Sequence, residues 1–265
     1  MHNYTQQLFD LTGRVAIITG GAGMLGQQHA EILNDVGAHV VIADIKQEIC
    51  DEVARKITAR NGIEAIGVEV DLSQEDSVIR MVEKIKYKFG AIDILINNAV
   101  AKPKTFFKKF EEYPVDDWEQ VMAVNLRGVF LCSKIVGAEM TKSGRGVILN
   151  IGSIYGLLGT DQSIYGESGI NAPAVYAASK GAVINLTRYL ATYWTGKGIR
   201  VNTLSPGGVE NNQDPEFIQK YCAKVPLGRM ARKDDFKGAV LFLVSDASSY
   251  MTGANLIVDG GWTAW

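Results

Sequence analysis

Short β-branched and aliphatic runs alternate with longer amphipathic stretches along almost the whole chain. The runs are Val15–Thr19, Val40–Asp44, Ala65–Val70, Ile92–Asn97, Gly146–Ile151, Arg200–Leu204 and Asn255–Val258. Between them, residues 24–36, 47–60, 74–89, 116–141, 174–196 and 233–245 read as helices. Such alternation predicts an α/β fold, a doubly wound parallel sheet of about seven strands with helices on both faces. Runs such as Val15-Ala16-Ile17-Ile18 and Ile92-Asp93-Ile94-Leu95-Ile96 are nearly unbroken, as expected of strands buried on both sides. No linker, charge block or internal repeat divides the pattern, so residues 1–265 are expected to form a single domain. Two stretches are irregular: 154–172, rich in Gly, Ser and polar residues, and the region 206–228, which opens on Pro206-Gly207-Gly208 and an Asn-Asn-Gln-Asp run. They follow the ends of the fifth and sixth strands, where open α/β sheets bind ligands, and are candidate walls of an active site.

Composition narrows the function classes. Hydrophobic residues make up 47% and charged residues 21% of the 265, an ordinary globular mix. The 27 basic against 29 acidic residues leave a net charge of −2. Nucleic-acid and membrane-surface partners leave a basic excess or face, so neither is expected. No apolar run approaches the roughly 18 residues of a membrane helix, and Met1 to Thr12 lacks the layout of a signal peptide. A cytoplasmic location is expected. Cys50, Cys132 and Cys222 are odd in number and scattered, which argues against a disulfide framework. His2, His29 and His39 form no ligand-like cluster, so no metal is expected.

Three motifs carry candidate chemistry. Thr19-Gly20-Gly21-Ala22-Gly23-Met24-Leu25-Gly26 follows the first strand and opens the first long helix. Glycines there permit a tight turn and a close backbone approach to a pyrophosphate, while the helix N-terminus offers free N–H groups. This points to nucleotide binding on a Rossmann-like sheet. Asp44 ends the second strand, where a carboxylate can accept both hydroxyls of an adenosine ribose and repel a 2′-phosphate. It could equally cap the following helix, and Lys46 stands close by. The preference expected is for NAD.

In Tyr176-Ala177-Ala178-Ser179-Lys180, residues four apart share a helix face and aim a phenol and an ammonium into one space. A free phenol has a pKa of about 10, too high for efficient proton exchange at neutral pH. An adjacent ammonium favours the phenolate, and a cationic nicotinamide would act in the same direction. Tyr193 and Lys197 match the same spacing, but Gly196 and Gly198 put that lysine at a helix end. Context separates the two, because Asn150-Ile151-Gly152-Ser153 can deliver a hydroxyl to the first site.

The chain at this point resembles the single-domain branch of the short-chain dehydrogenase/reductase family over nearly its whole length. Asn97-Asn98-Ala99 resembles that family's Asn-Asn-Ala-Gly strand end, with Val100 in place of Gly. Asn125 in Val124-Asn125-Leu126 matches its helix asparagine, and Asp71, followed by Leu72, its adenine-contacting acidic residue. Ser205-Pro206-Gly207, with Val209 beyond, matches the loop flanking the nicotinamide, and Val258-Asp259-Gly260-Gly261 the C-terminal strand. The resemblance implies that Ser153 holds the substrate oxygen and Tyr176 transfers the proton. Lys180 would bind the nicotinamide ribose and tune Tyr176, and Asn125 would position a water for proton relay. The cofactor would rest on Gly20, Gly23, Met24, Leu25, Gly26, Asp44, Asp71, Leu72, Asn98, Ala99, Tyr176, Lys180, Pro206, Gly207 and Val209. A homotetramer built partly on the 116–141 and 174–196 helices is implied as well. Two departures stand out. Met24 takes the place of the middle glycine, a spacing similar to the extended, epimerase-containing branch, and the Ser153–Tyr176 separation is longer than usual.

The function expected is hydride transfer between an alcohol or carbonyl and NAD. Alternatives are an epimerase or dehydratase that retains its NAD, and a catalytically silent nucleotide-sensing protein on the same fold. Asp161, Gln162, Ser163, Glu167, Ser168 and Asn171, with Asn211, Asn212 and Gln213, suggest a polar, polyhydroxylated small-molecule substrate. A pocket for a long acyl chain would instead be mainly apolar. Lys102 and Lys104 follow the fourth strand's end and could pair with a phosphate or carboxylate. The 154–180 region also resembles bacterial oxidoreductases of surface-glycan or flagellin-sugar modification.

Overall fold

A computed structural model describes residues 3–166 and 170–265, so His2, Glu167 and Ser168 lie outside the described residues. The strands are β1 (Val15–Thr19), β2 (His39–Asp44), β3 (Ala65–Glu69), β4 (Ile94–Asn97), β5 (Gly146–Ile151), β6 (Ile199–Pro206) and β7 (Asn255–Val258). They form one 7-stranded sheet in the order β3-β2-β1-β4-β5-β6-β7, and every neighbouring pair is parallel. The winding reverses between β1 and β4, which opens a crevice beyond their carboxyl ends. β6 runs past its predicted end because Ser205 and Pro206 still pair with Ile257 and Val258.

The helices are α1 (Tyr4–Phe9), α2 (Met24–Asp35), α3 (Gln47–Asn61), α4 (Glu75–Phe89), α5 (Val115–Met122), α6 (Val129–Ser143), α7 (Ala174–Tyr193), α8 (Pro215–Ala223) and α9 (Lys237–Val244). Side chains of β1 alternate between two cores. Val15 and Ile17 pack with α4, α6 and the C-terminal part of α7, whereas Ala16 and Ile18 pack with α2, α3 and α9. A strand sandwiched this way must be apolar at every position, which explains the unbroken runs.

α1 and α8 were not anticipated. α8 lies inside the region read as a loop, yet its start carries a recognisable signature. Asp214 Oδ1 accepts the N–H groups of Glu216 and Phe217, and Pro215 takes the first helical position. α5 and α6 are joined by a π-helical turn, Ala123–Gly128, so the predicted 116–141 helix is continuous but locally underwound. Contrary to the reading of the apolar runs, this joined helix is long and apolar enough to span a bilayer by length and composition. Half of that stretch is buried inside the fold, where α6 packs on β4, β5 and α4, as befits a core helix.

Burial also governs the titratable groups of the core. The thiol of Cys50 is pushed up to about 11 and that of Cys132 to about 12, chiefly by burial. His29, on α2, is 1% exposed, and neither ring nitrogen has a hydrogen-bond partner among the described residues. Burial lowers its pKa to about 4. The unfolded chain, with histidine near its ordinary ~6.5, therefore binds a proton that the folded chain refuses between these values. The contribution of His29 is complete above pH ~6.5 and is lost progressively as pH falls towards 4. Urea unfolding at pH 7.5 and pH 5 should show a loss on the order of 2 kcal/mol that His29→Leu removes.

Candidate active site

The glycine loop is drawn against the end of β4 by hydrogen bonds. Asn98 Nδ2 donates to the carbonyls of Thr19 (2.9 Å) and Gly20 (3.0 Å), while Thr19 Oγ1 accepts from Asn98 N (3.0 Å) and Ala99 N (3.3 Å). Gly20 has φ +62°, and a Cβ there would lie 2.7 Å from Ala99 Cα. At Gly26 a Cβ would run into the Gly20 carbonyl oxygen and the Gly21 Cα. These two positions cannot carry side chains. Met24 can, because it is the first residue of α2 and turns its side chain to the open cleft. That accounts physically for the missing middle glycine.

The loop borders a cleft of about 1330 Å³. Gly20, Gly23, Met24, Leu25, Gly26, Asp44, Asp71, Leu72, Asn98 and Ala99 all line it. Ile45, Val70, Ser73 and Arg127 line it too and were missed. Arg127 Nη2 donates to the Ser73 carbonyl at 2.8 Å, a pairing that no local spacing announces. Asp44 does not cap α3, whose N-cap residue is Lys46. Instead its Oδ2 accepts Ala22 N (3.1 Å) and its Oδ1 accepts Ile45 N (2.8 Å), tying the glycine loop to the end of β2. Asp71 Oδ1 accepts the backbone N–H and the hydroxyl of Ser73. Tyr176, Lys180, Pro206, Gly207 and Val209 are not on the lining of this cleft. Gly207 borders a separate cavity of about 190 Å³ with Tyr221 and Asp259, and Val209 bridges to Ala231.

Beyond the cleft, α7 and the end of β5 bring the remaining candidates together. Ser153, 5% exposed, lies beside the Tyr176 phenol, and its Oγ accepts Tyr155 N at 3.2 Å. Lys180 is 2% exposed, sits 5.6 Å from the centroid of the Tyr176 ring, and donates from Nζ to the Ile151 carbonyl at 2.6 Å. Asn125, fully buried in the π turn, accepts Ala101 N on Oδ1 at 2.9 Å and donates to Ser179 Oγ at 3.4 Å. A π turn re-aims one side chain out of helical register, and such turns recur at functional sites. Tyr193 is exposed on the outer face of α7, away from this cluster.

The electrostatics depart from the expectation drawn from the Tyr–Lys spacing. Burial is the dominant influence and raises the Tyr176 phenol above its ordinary value, opposed by the nearby Ser153 hydroxyl. Lys180 is lowered to about 8, first by burial and then by the charge of Lys102. The ammonium is thus itself desolvated and engaged with a carbonyl rather than acting on the phenol.

The long Ser153–Tyr176 connection loops out without separating its ends. Gly156 lies so close to α7 that a Cβ would be 2.7 Å from the Lys180 carbonyl carbon. The chain then turns through Gln162–Tyr165 and packs on α8 in a cluster with Ile154, Ile164, Tyr221, Met230 and Trp262. Aromatic contacts run from Tyr165 to Phe217 (5.2 Å), Phe217 to Tyr221 (5.9 Å) and Tyr221 to Trp262 (4.4 Å). Tyr155 bonds to Tyr165, with burial pushing its phenol far up, and Phe106 meets Tyr176 edge-on at 6.2 Å. Several polar residues expected to face substrate serve the loops instead. Asp161 caps the Ser163 turn and pairs with Lys224, Gln162 Oε1 accepts Ala172 N, and Gln213 Nε2 donates to Val209 O. Of the two lysines after β4, Lys102 lines the cleft and Lys104 does not.

A reversed-winding parallel sheet, a glycine-bound cleft and a Ser–Tyr–Lys cluster beside it define a nucleotide-dependent oxidoreductase fold. Residues 21–263 match the family model described as Enoyl-(Acyl carrier protein) reductase. The chain is 37% identical over 256 residues to the cis-4-hydroxycyclohexanecarboxylate dehydrogenase of Sinomonas cyclohexanicum, covering 95% of this chain and 97% of that protein. It is 34% identical to an NAD-dependent glycerol dehydrogenase of Listeria innocua, covering 96% of each. A crystal structure of a gluconate 5-dehydrogenase from Burkholderia cenocepacia, in complex with NADP and tartrate, superposes with a TM-score of 0.90 at 34% identity, covering 99% of this chain and 100% of that one. The chain belongs to the short-chain dehydrogenase/reductase family. It is an oxidoreductase that interconverts an alcohol and a carbonyl with a nicotinamide cofactor. The surface-glycan and flagellin-sugar resemblance finds no support in these comparisons.

Proposed function

We propose that the protein is an NAD-dependent dehydrogenase of a polar hydroxy acid, sugar-like or alicyclic, with Tyr176 as its proton-transferring group. The observation that carries this reading is the grouping of Tyr176 with the buried Ser153 and Lys180 at the end of β5, with Lys180 Nζ bonded to the Ile151 carbonyl. Glycine positions where a Cβ would strike backbone, next to a cleft of about 1330 Å³ and the Asp44 carboxylate, fit a dinucleotide. When bound, its nicotinamide supplies the hydride acceptor for oxidation and the donor for reduction. Ser153 Oγ holds the substrate oxygen, and Tyr176 Oη takes its proton in oxidation and returns it in reduction. Lys180 holds the nicotinamide ribose. Asn125, clamped between Ala101 and Ser179, positions a water that carries the proton onward. Because burial holds the phenol high, Tyr176 is protonated at neutral pH, and oxidation gains as pH rises.

Asp44 supports NAD over NADP. Its carboxylate faces the cleft, with lone pairs left for ribose hydroxyls, and a 2′-phosphate would meet a like charge. Lys46 is exposed and does not line the cleft. Among the relatives both NAD and NADP occur, so the carboxylate is the discriminating feature in this chain. Lys102 supports an anionic substrate. It lines the cleft near its catalytic end, has no ion pair among the described residues, and its charge reaches Lys180. The cis-4-hydroxycyclohexanecarboxylate and gluconate of the relatives' names are both hydroxy acids. Self-association belongs to the same reading, with exposed Phe130, Tyr189 and Tyr193 along a groove of about 790 Å³ on α6 and α7. We place the enzyme in the cytoplasm.

Tyr176→Phe should abolish turnover, erase the alkaline rise of oxidation and leave NADH binding within about twofold, because only the proton-carrying oxygen is lost. Tyr193→Phe should be neutral, and near-normal rates in Tyr176→Phe would remove that residue from the mechanism. The ratio of kcat/KM for NAD over NADP should exceed about tenfold, and Asp44→Ala should collapse it. A wild-type preference for NADP would instead show that another group dominates. With gluconate, glycerol and cis-4-hydroxycyclohexanecarboxylate as alcohols, net NADH formation should favour the two acids. Lys102→Ala should raise their KM roughly tenfold while leaving glycerol unaffected. An unchanged KM for both acids would dismiss the anionic assignment.

A further inference from the structure

Beneath the site lies a line of buried polar side chains that proton transfer itself does not use. Asn97 is 4% exposed, and Ser133, Asn150, Thr187 and Thr203 are at or below 1%. Asn97 Nδ2 donates to Ser133 Oγ (3.2 Å) and to Asn150 Oδ1 (2.8 Å). Asn150 Nδ2 donates to Thr187 Oγ1 (2.9 Å), and Thr203 Oγ1 donates to the same oxygen (2.7 Å). Thr187 Oγ1 in turn donates to the Val183 carbonyl at 3.0 Å. A hydroxyl has one hydrogen to give and two lone pairs to receive, so Thr187 is saturated.

The placement of this line matters more than its energy. Thr187 follows Lys180 by about two helical turns and so shares its face of α7. Asn150 directly precedes Ile151, whose carbonyl accepts Lys180 Nζ. The methyl of Thr203 lies 2.7 Å from where a Cβ of Gly152 would stand, directly beneath the backbone that leads into Ser153. α7 is therefore pinned to β5 at two points, Asn150 and Ile151, directly before the segment that presents the serine. Apolar packing tolerates small slides of a helix along a sheet, whereas directional bonds between buried groups do not.

We infer that Asn150, Thr187 and Thr203 are positioning residues that set the distance between the Tyr176 phenol and the Ser153 hydroxyl. The inference rests on the reading of those two groups as the proton-handling pair. Misplacing reacting groups by about 1 Å costs on the order of a hundredfold in rate, so a modest shift of α7 is measurable.

Thr187→Val keeps the shape and removes the hydroxyl, and Thr187→Ser restores it. Each is compared with wild type on whichever of gluconate, glycerol and cis-4-hydroxycyclohexanecarboxylate is oxidised fastest. Ser248→Ala is the control, because it deletes another buried hydroxyl, bonded to the Leu243 and Ser245 carbonyls far from the site. Thr187→Val should lower kcat roughly tenfold or more and shift the alkaline limb of its pH profile, with NADH Kd within about twofold. Thr187→Ser should recover most of kcat and the wild-type profile, while Ser248→Ala should lower Tm but leave kcat and the profile alone. Wild-type kcat and pH profile in Thr187→Val, or an equal kcat loss in Ser248→Ala, would overturn the inference. Should Thr187→Val not fold, Thr203→Val removes a single bond from the same hydroxyl. A kcat loss of about threefold then supports the inference, and an unchanged kcat and profile overturns it. Failure of the proton-transfer reading would show separately, as activity in Tyr176→Phe.

Discussion

Lys180 holds a primary amine where 2% of the residue meets solvent, and its Nζ donates to the Ile151 carbonyl at 2.6 Å. Taking an ammonium out of water carries a penalty of several kcal/mol unless strong partners replace the hydration. The pKa of about 8 shows how far the site goes towards that limit without neutralising the group. Much else follows from the contact. It fastens α7 to the end of β5, and the absence of a side chain at Gly156 lets the loop after Ser153 press onto the Lys180 backbone. Tyr176, one turn earlier on the helix, is brought to Ser153 as a consequence. The same exclusion of water that strains the lysine also raises the phenol, so the charge states of the two groups are set by one enclosure.

The cofactor side and the substrate side are built on different physical principles. At the glycine loop, backbone meets backbone: Gly20 against Ala99, Gly26 against Gly20, with Asn98 and Asp44 holding the loop by its amides and carbonyls. On the substrate side a satellite core of Ile154, Ile164, Tyr221, Val225, Met230 and Trp262 does the work, standing apart from the two cores that flank the sheet.

That division explains what could be read from the chain. β1 and β5 have the bounds of their apolar runs, since burial on both faces leaves an unmistakable pattern, and the partly exposed edge strand β7 has the expected bounds as well. The glycine loop and Asp44 were legible because backbone geometry demands particular residues at particular places. α8 was hidden behind a polar run, although Asp214-Pro215 carried its start in plain form. The aromatic line through Tyr165, Phe217, Tyr221 and Trp262 was not legible, because nothing local links residues so distant in the chain. Nor was the upward direction of the Tyr176 shift, which comes from the burial of the phenol itself and not from its spacing to Lys180. The π turn at Asn125 has no residue code of its own.

That π turn distinguishes two kinds of change the gene can absorb. Between α5 and α6 the backbone carries extra chain relative to a plain α-helix, and Asn125 reaches Ala101 because of it. Deleting one residue there would let the turn close as plain α-helix and take the Asn125 amide away from Ala101. Substitutions in this helix are a matter of degree, whereas insertions and deletions are all-or-nothing. The stretch 157–165 is held in another way, by Ile164 in the satellite core and Asp161 on Lys224, so a change there is felt contact by contact and not as a shift of register.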